Sequence, residues 1–235
     1  DVSFDAVSKK SDSKWSGKRL FAAPTVAGKH QIYYQPAVAF DRYGNPWVYF
    51  GTGDREHPND LSNPAESERF YAVKDNGIGN YPRSETDLSD LTSSNTFNPT
   101  SQAGWYIQLE KSADRSEKVL AKPVVFNRLV YFTTYTYATA ANPCSVPGEA
   151  KLYIVEYLSA GGALEVDALT DLEGNPSQQR SKTIGAGAPS TPVITVDVTG
   201  RASVTIGTTS DQVLSTPIFS PSKSKEILYW REIIP

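Results

Sequence analysis

The residues of this sequence best suited to chemistry are oxygen donors gathered in one stretch: Asp54, Glu56, Asn59, Asp60, Glu66 and Glu68. A hard cation such as calcium takes about six to eight oxygens, and a loop rich in carboxylates and amides can wrap around one. No run here matches the alternating Asp/Asn calcium loop with its glycine and trailing acid. The stretch therefore reads first as a solvated acidic loop. Asp54, Glu56, Asn59 and Asp60 are the set that would hold calcium or a partner protein. Glu85, Asp87 and Asp90 make a weaker second group. His30 and His57 form no metal-binding pair of the H-x-x-x-H kind. His57 lies between Asp54 and Asp60, where its role is electrostatic.

No catalytic constellation emerges. Serine is plentiful, but there is no Gly-x-Ser-x-Gly elbow. The glycine-rich Ile184-Gly185-Ala186-Gly187-Ala188-Pro189 lacks the Gly-Lys-Ser/Thr of a phosphate loop and reads as a flexible crossover. The single cysteine, Cys144, cannot form an internal disulfide or a structural zinc site. It is either a buried inert thiol or half of a disulfide to a segment outside this chain, and an oxidising compartment favours the second.

These residues need a scaffold, and composition points to strands. The 235 residues include 13 Tyr, 16 Gly and 16 Pro but no Met, a mixture suited to strands and turns. A chain beginning at Asp1 without Met reads as a processed or truncated product. The net charge of −3 supplies no field to attract nucleic acid. No apolar run reaches the ~20 residues of a membrane span.

The scaffold repeats. Unit one, about 35–109, contains Gln35-Pro36-Ala37-Val38, then Trp47-Val48-Tyr49-Phe50-Gly51-Thr52-Gly53, Phe70-Tyr71-Ala72-Val73 and Gly104-Trp105-Tyr106-Ile107-Gln108-Leu109. Unit two, about 122–166, contains Lys122-Pro123-Val124-Val125, Leu129 to Thr134, Lys151 to Glu156 and a weak strand at Ala163-Leu164-Glu165-Val166. Unit three, about 191–231, contains Thr191-Pro192-Val193-Ile194, Ser203 to Thr209, Gln212-Val213-Leu214 and Ile227 to Arg231. Each opens on a proline, which suits the first position of a strand. Each second strand is a nearly continuous apolar run, as in a sheet covered on both faces. The prolines lie further apart than the ~40–50 residues of compact propeller repeats, so loops are inserted, chiefly at 54–69, 74–103 and 136–149. The expectation is an all-β portion of a β-propeller, about three four-stranded blades with long loops. Residues 1–34 would belong to a preceding blade through Arg19 to Pro24.

The motifs from Gln35 to Gly53 and from Arg69 to Val73, with Gly104-Trp105-Tyr106, resemble the C-terminal propeller of the PilC/PilY family of type IV pilus biogenesis and tip-adhesin proteins. So do Glu117 to Asn127, Val130 to Thr134 and the closing Ile227 to Glu232. The resemblance spans roughly 30–232. It implies a non-enzymatic protein at the bacterial surface, outer membrane or pilus tip, acting in pilus assembly, retraction control and adhesion. Its implied partners are minor pilin subunits, the rest of its own propeller or another chain, and a host or abiotic surface ligand. The family's calcium loop has no counterpart here, so calcium stays attached only to the 54–60 loop. Two rivals share the scaffold: a quinoprotein-type dehydrogenase fragment, which would need an axial cofactor pocket, and a purely structural filament subunit. Three blades do not close a ring, and the last blade is expected to expose apolar strands.

Overall fold

The computed structural model describes residues 4–5, 10–11, 18–24, 30–58, 67–94, 97–99, 101–138, 148–164 and 179–218. The chain is all-β. Its strands are β1 (Phe4–Asp5), β2 (Lys10–Ser11), β3 (Ala37–Phe40), β4 (Pro46–Gly51), β5 (Arg69–Lys74), β6 (Ser89–Asp90), β7 (Gly104–Gln108), β8 (Arg115–Val119), β9 (Val124–Phe126), β10 (Leu129–Ala138), β11 (Glu149–Glu156), β12 (Ser181–Ala186), β13 (Val193–Val196), β14 (Ala202–Gly207) and β15 (Val213–Ile218). One 3-10 turn, Glu85–Asp87, precedes β6.

Beside the small β1–β2 pair, three sheets follow the repeats. The first is the antiparallel meander β3-β4-β5-β7, with β6 added parallel to β7. The second runs β9-β10-β11-β12. The third is β13-β14-β15. Pro36, Pro123 and Pro192 each stand one residue before the first strand of a sheet. Register confirms the repeat: Ala37 faces Tyr49, Val124 faces Tyr131, and Val193 faces Thr205.

The sheets stack face to face, because alternate residues of each central strand are apolar on both sides. Trp47, Tyr49, Phe70 and Trp105 of the first sheet pack against Val130, Phe132, Tyr153 and Val155 of the second. The Phe70 and Phe132 rings are stacked with centroids 3.7 Å apart. Leu129, Tyr131, Leu152 and Ile154 on the opposite face meet Val204, Ile206 and Ile218 of the third.

Several sequence expectations need correction. The fourth strand of the second sheet is β12, not Ala163–Leu164, which follow a one-residue bridge between Val155 and Gly162; Glu165 and Val166 lie outside the described residues. Half of the supposed crossover 184–189 is therefore strand. It was hidden because the pairing shifts register near Ala150 and Gly185, a bulge that interrupts the periodicity. β8 was also unforeseen as a strand: it continues the edge begun by β9, pairing with the far half of β10. The segment 19–24 lies against the first unit. Phe21 makes a single parallel bridge to Arg83 in the first unit's own insertion. Leu20 and Phe21 cover Phe50 and Tyr71 there, the otherwise open face of the first sheet. Ile227 to Arg231 lie outside the described residues.

Candidate functional site

The 54–60 loop leaves β4 through Gly51-Thr52-Gly53. These glycines allow close approach, not a left-handed turn: a methyl on Gly51 would overlap Val119, and one on Gly53 would come within 2.8 Å of Lys118 Cβ. Thr52 is buried between them, and its carbonyl accepts from Val119 N at 3.0 Å. The first unit is thus locked to β8.

Beyond this lock, Asp54 closes its own turn. One carboxylate oxygen accepts from the backbone N–H of Glu56 at 2.8 Å and of His57 at 3.2 Å, and the other meets His57 Nδ1 at 2.9 Å. Burial pushes the Asp54 carboxyl upward, but these bonds outweigh it and hold it below the usual carboxylate range. Glu56 is exposed. Asn59, Asp60, Glu66 and Cys144 lie outside the described residues. Among the described residues no three His, Cys, Asp or Glu side chains gather to hold a metal ion.

Glu68, at the end of the same stretch, serves a different cluster. It is buried and meets His30 Nδ1 at 3.1 Å. Arg69 Nη1 lies 3.1 Å from His30 Nε2. Because a guanidinium only donates, Nε2 accepts and Nδ1 carries the proton given to Glu68. Arg69 Nε pairs with Glu85 at 2.6 Å, and Glu85 accepts from Tyr71 OH at 2.8 Å. The weaker acidic group is dispersed: Glu85 joins this relay, Asp87 caps the 3-10 turn through Ser84, and Asp90 accepts from Thr92 and Gln108. Sequence reasoning had no signal for the relay beyond the adjacency of Glu68 and Arg69, since His30 is 38 residues away.

A second buried carboxylate, Glu117 on β8, went unnoticed as such. It accepts from Thr134 Oγ1 at 2.6 Å, Tyr153 OH at 2.9 Å and Glu110 N at 2.9 Å. Lys151 Nζ stands 3.6 Å away while also meeting Glu110 at 2.9 Å. Burial alone would push the Lys151 ammonium down, yet these carboxylates hold it above its usual value.

The described residues form an open cleft of about 730 Å³ where one end of all three sheets converges. Tyr34, Arg55 and Pro58 come from the first unit, and Leu120 and Tyr135 from the second. The connection Gly187 to Ser190 and the end of β14, Gly207 to Thr209, complete the wall. Arg55 lies over the Tyr34 ring at 5.5 Å.

No family model matches the chain, and no curated protein does. Among solved structures, it is similar to an endo-arabinase from Bacteroides thetaiotaomicron VPI-5482, at 11% identity and a TM-score of 0.34. That likeness covers 78% of this chain and 55% of the other, so the chain spans about half the length of the arabinase. A likeness of this size carries no functional argument.

Proposed function

We propose that the chain is a propeller portion of a pilus-associated cell-surface protein of the PilC/PilY type, working by binding and assembly and not by catalysis. Its contacts would be minor pilin subunits, the remainder of its own propeller or a second chain, and a ligand on the colonised surface. The observation that carries this reading is the meeting of two motifs on which the resemblance rests. Gly51-Thr52-Gly53 and Glu117-Lys118-Val119 are far apart in sequence, yet Gly51 admits the Val119 side chain and Gly53 the Val119 backbone. Motifs that resemble a family and also interlock act as the framework of a fold, and the resemblance ties that framework to a function only by analogy. The acids of the first unit's insertions support a scaffold reading too, since Asp54, Asp87 and Asp90 each serve a local contact and Glu68 and Glu85 share the buried relay through His30 and Arg69.

The test is genetic. Removal of residues 35–218 from the protein in its own bacterium should lower pilus number by electron microscopy and adhesion by cell counts. Surface labelling of the remaining protein controls for display. Unchanged pili and unchanged adhesion overturn the reading.

A further inference from the structure

We infer that the cleft between the three sheets is a binding site for an acidic saccharide, a sugar unit bearing a carboxylate. The inference stands on the cleft and does not rest on the pilus reading.

Its charge comes from one residue. Among the described lining residues Arg55 is the only cation, and none is a carboxylate. Arg55 is exposed, and it joins no ion pair among the described residues. Its neighbour Asp54 is engaged with His57. The Tyr34 ring beneath the guanidinium orients a planar fork of donors, the geometry that takes a carboxylate in two parallel bonds. A single cation suits one carboxylate. A nucleic-acid backbone would ask for several.

The walls suit a sugar. Pro58, Leu120 and Pro189 offer apolar surface to the C–H face of a ring, while the Thr208 and Thr209 hydroxyls, each accepting one backbone N–H, stand beside it with an O–H to donate. Small-ligand sites combine apolar walls with a few fixed polar groups in about 300–1,000 Å³, and this cleft falls in that range. The walls are also pre-formed. Pro189 bridges Thr208, and a methyl on Gly187 would come within 2.6 Å of the hydroxyls of Thr209 and Ser210.

An extended peptide is disfavoured by the same bonds. A peptide adding to a sheet needs unpaired N–H and C=O groups. Here Thr209 N donates to Ala188 O, Ser190 N to Gly207 O, Thr208 N to Gln212 O and Gly207 N to Ser190 Oγ. The wall offers side-chain hydroxyls where a strand edge would be required.

The test uses the full 235-residue chain, titrated calorimetrically with digalacturonic acid, neutral digalactose and an acetylated Asp-Asp amide. Digalacturonic acid should bind about ten-fold or more tightly than digalactose, as a charge-assisted pair implies. Arg55→Gln should remove that preference while leaving the melting temperature unchanged. Equal affinity for the acidic and neutral sugars overturns the inference, as does an Arg55→Gln protein that keeps the preference. So does tighter binding of the peptide, or binding of none of the three by protein that melts cooperatively. Pilus counts report on the earlier proposal separately, so either can fail alone.

Discussion

The interface between the first two sheets and the outward face of the third are built on the same positions and end in opposite chemistry. Register places Tyr49, Tyr131 and Thr205 in equivalent sites, each on the face turned away from the preceding unit. Tyr49 is buried against the second sheet and Tyr131 against the third. Thr205 is instead paired with Ser215 at 3.2 Å, beside a Thr195–Ser203 pair at 2.8 Å. The stack runs from aromatic to hydroxyl. An apolar open face was expected at the last blade, yet the centre of that face is Ser and Thr, with Val193 and Val213 exposed at its margins.

That contrast can be broken most sharply at Phe132, whose ring stacks on Phe70 and also on Tyr153 at 4.6 Å. Phe132→Ala should cost about 3–5 kcal/mol, and Thr205→Ala under about 1 kcal/mol, in urea unfolding. Similar losses at the two sites would show that the third sheet is packed as tightly as the first pair. The next comparison uses one motif position in two repeats, Gly51 facing Phe70 and Gly207 facing Val213. A methyl at Gly51 overlaps Val119, whereas at Gly207 the nearest atom is Gln212 O at 4.0 Å. Gly51→Ala should therefore lose about 1–3 kcal/mol by overpacking, and Gly207→Ala should stay within about 0.5 kcal/mol. Equal melting temperatures for the two variants would remove the lock from the account.

Acid should act on the framework more than on the hydroxyl face. Burial pushes the carboxyls of Asp41, Asp90 and Glu110 upward, but hydrogen bonds from Asn45 and Tyr43, from Thr92 and Gln108, and from Lys151 and Arg115 hold all three below the usual range. Lowered folded values mean that this stability is fully present above about pH 4–5, where the unfolded acids are ionised, and is lost as pH falls through the folded values. Melting temperature should be flat from neutrality to about pH 5 and then decline. A decline that begins near neutrality would point elsewhere. The smallest effect belongs to the acidic loop: Asp54→Ala removes the exposed turn bonds to Glu56 and His57 and a long 3.3 Å bond from the Tyr33 hydroxyl, and should change stability by about 0.5 kcal/mol. A much larger loss in the same assay would mean that the loop is part of the framework.

Much of the scaffold was legible because it was written in residues with one structural use. Proline before each first strand and an unbroken apolar second strand located the three sheets. What stayed hidden was polar. β8 reads Arg-Ser-Glu-Lys-Val, and nothing in that string says that Glu117 and Lys118 will be buried; they are accommodated by Thr134, Tyr153 and the Pro58 carbonyl. β12 carries Ser, Lys, Thr and a bulge glycine in place of an apolar alternation. The site was the least legible part. Asp54 and Glu68 belong to one sequence cluster but to two separate sets of contacts, and the cleft is assembled from three repeats that share no motif for a ligand.

Arg180 gives the fold an order in time. Its buried guanidinium donates to the carbonyls of Ala160, Leu91 and Ser94, at 2.7, 2.6 and 2.7 Å. Two of those acceptors lie more than 80 residues upstream. During synthesis the first sheet emerges long before the side chain that seals its 91–94 segment. The early unit must wait, open at that corner, until the polypeptide has grown past residue 180. At ~5–20 residues per second that delay is several seconds, long enough for a chaperone or protease to find the gap before the arginine does.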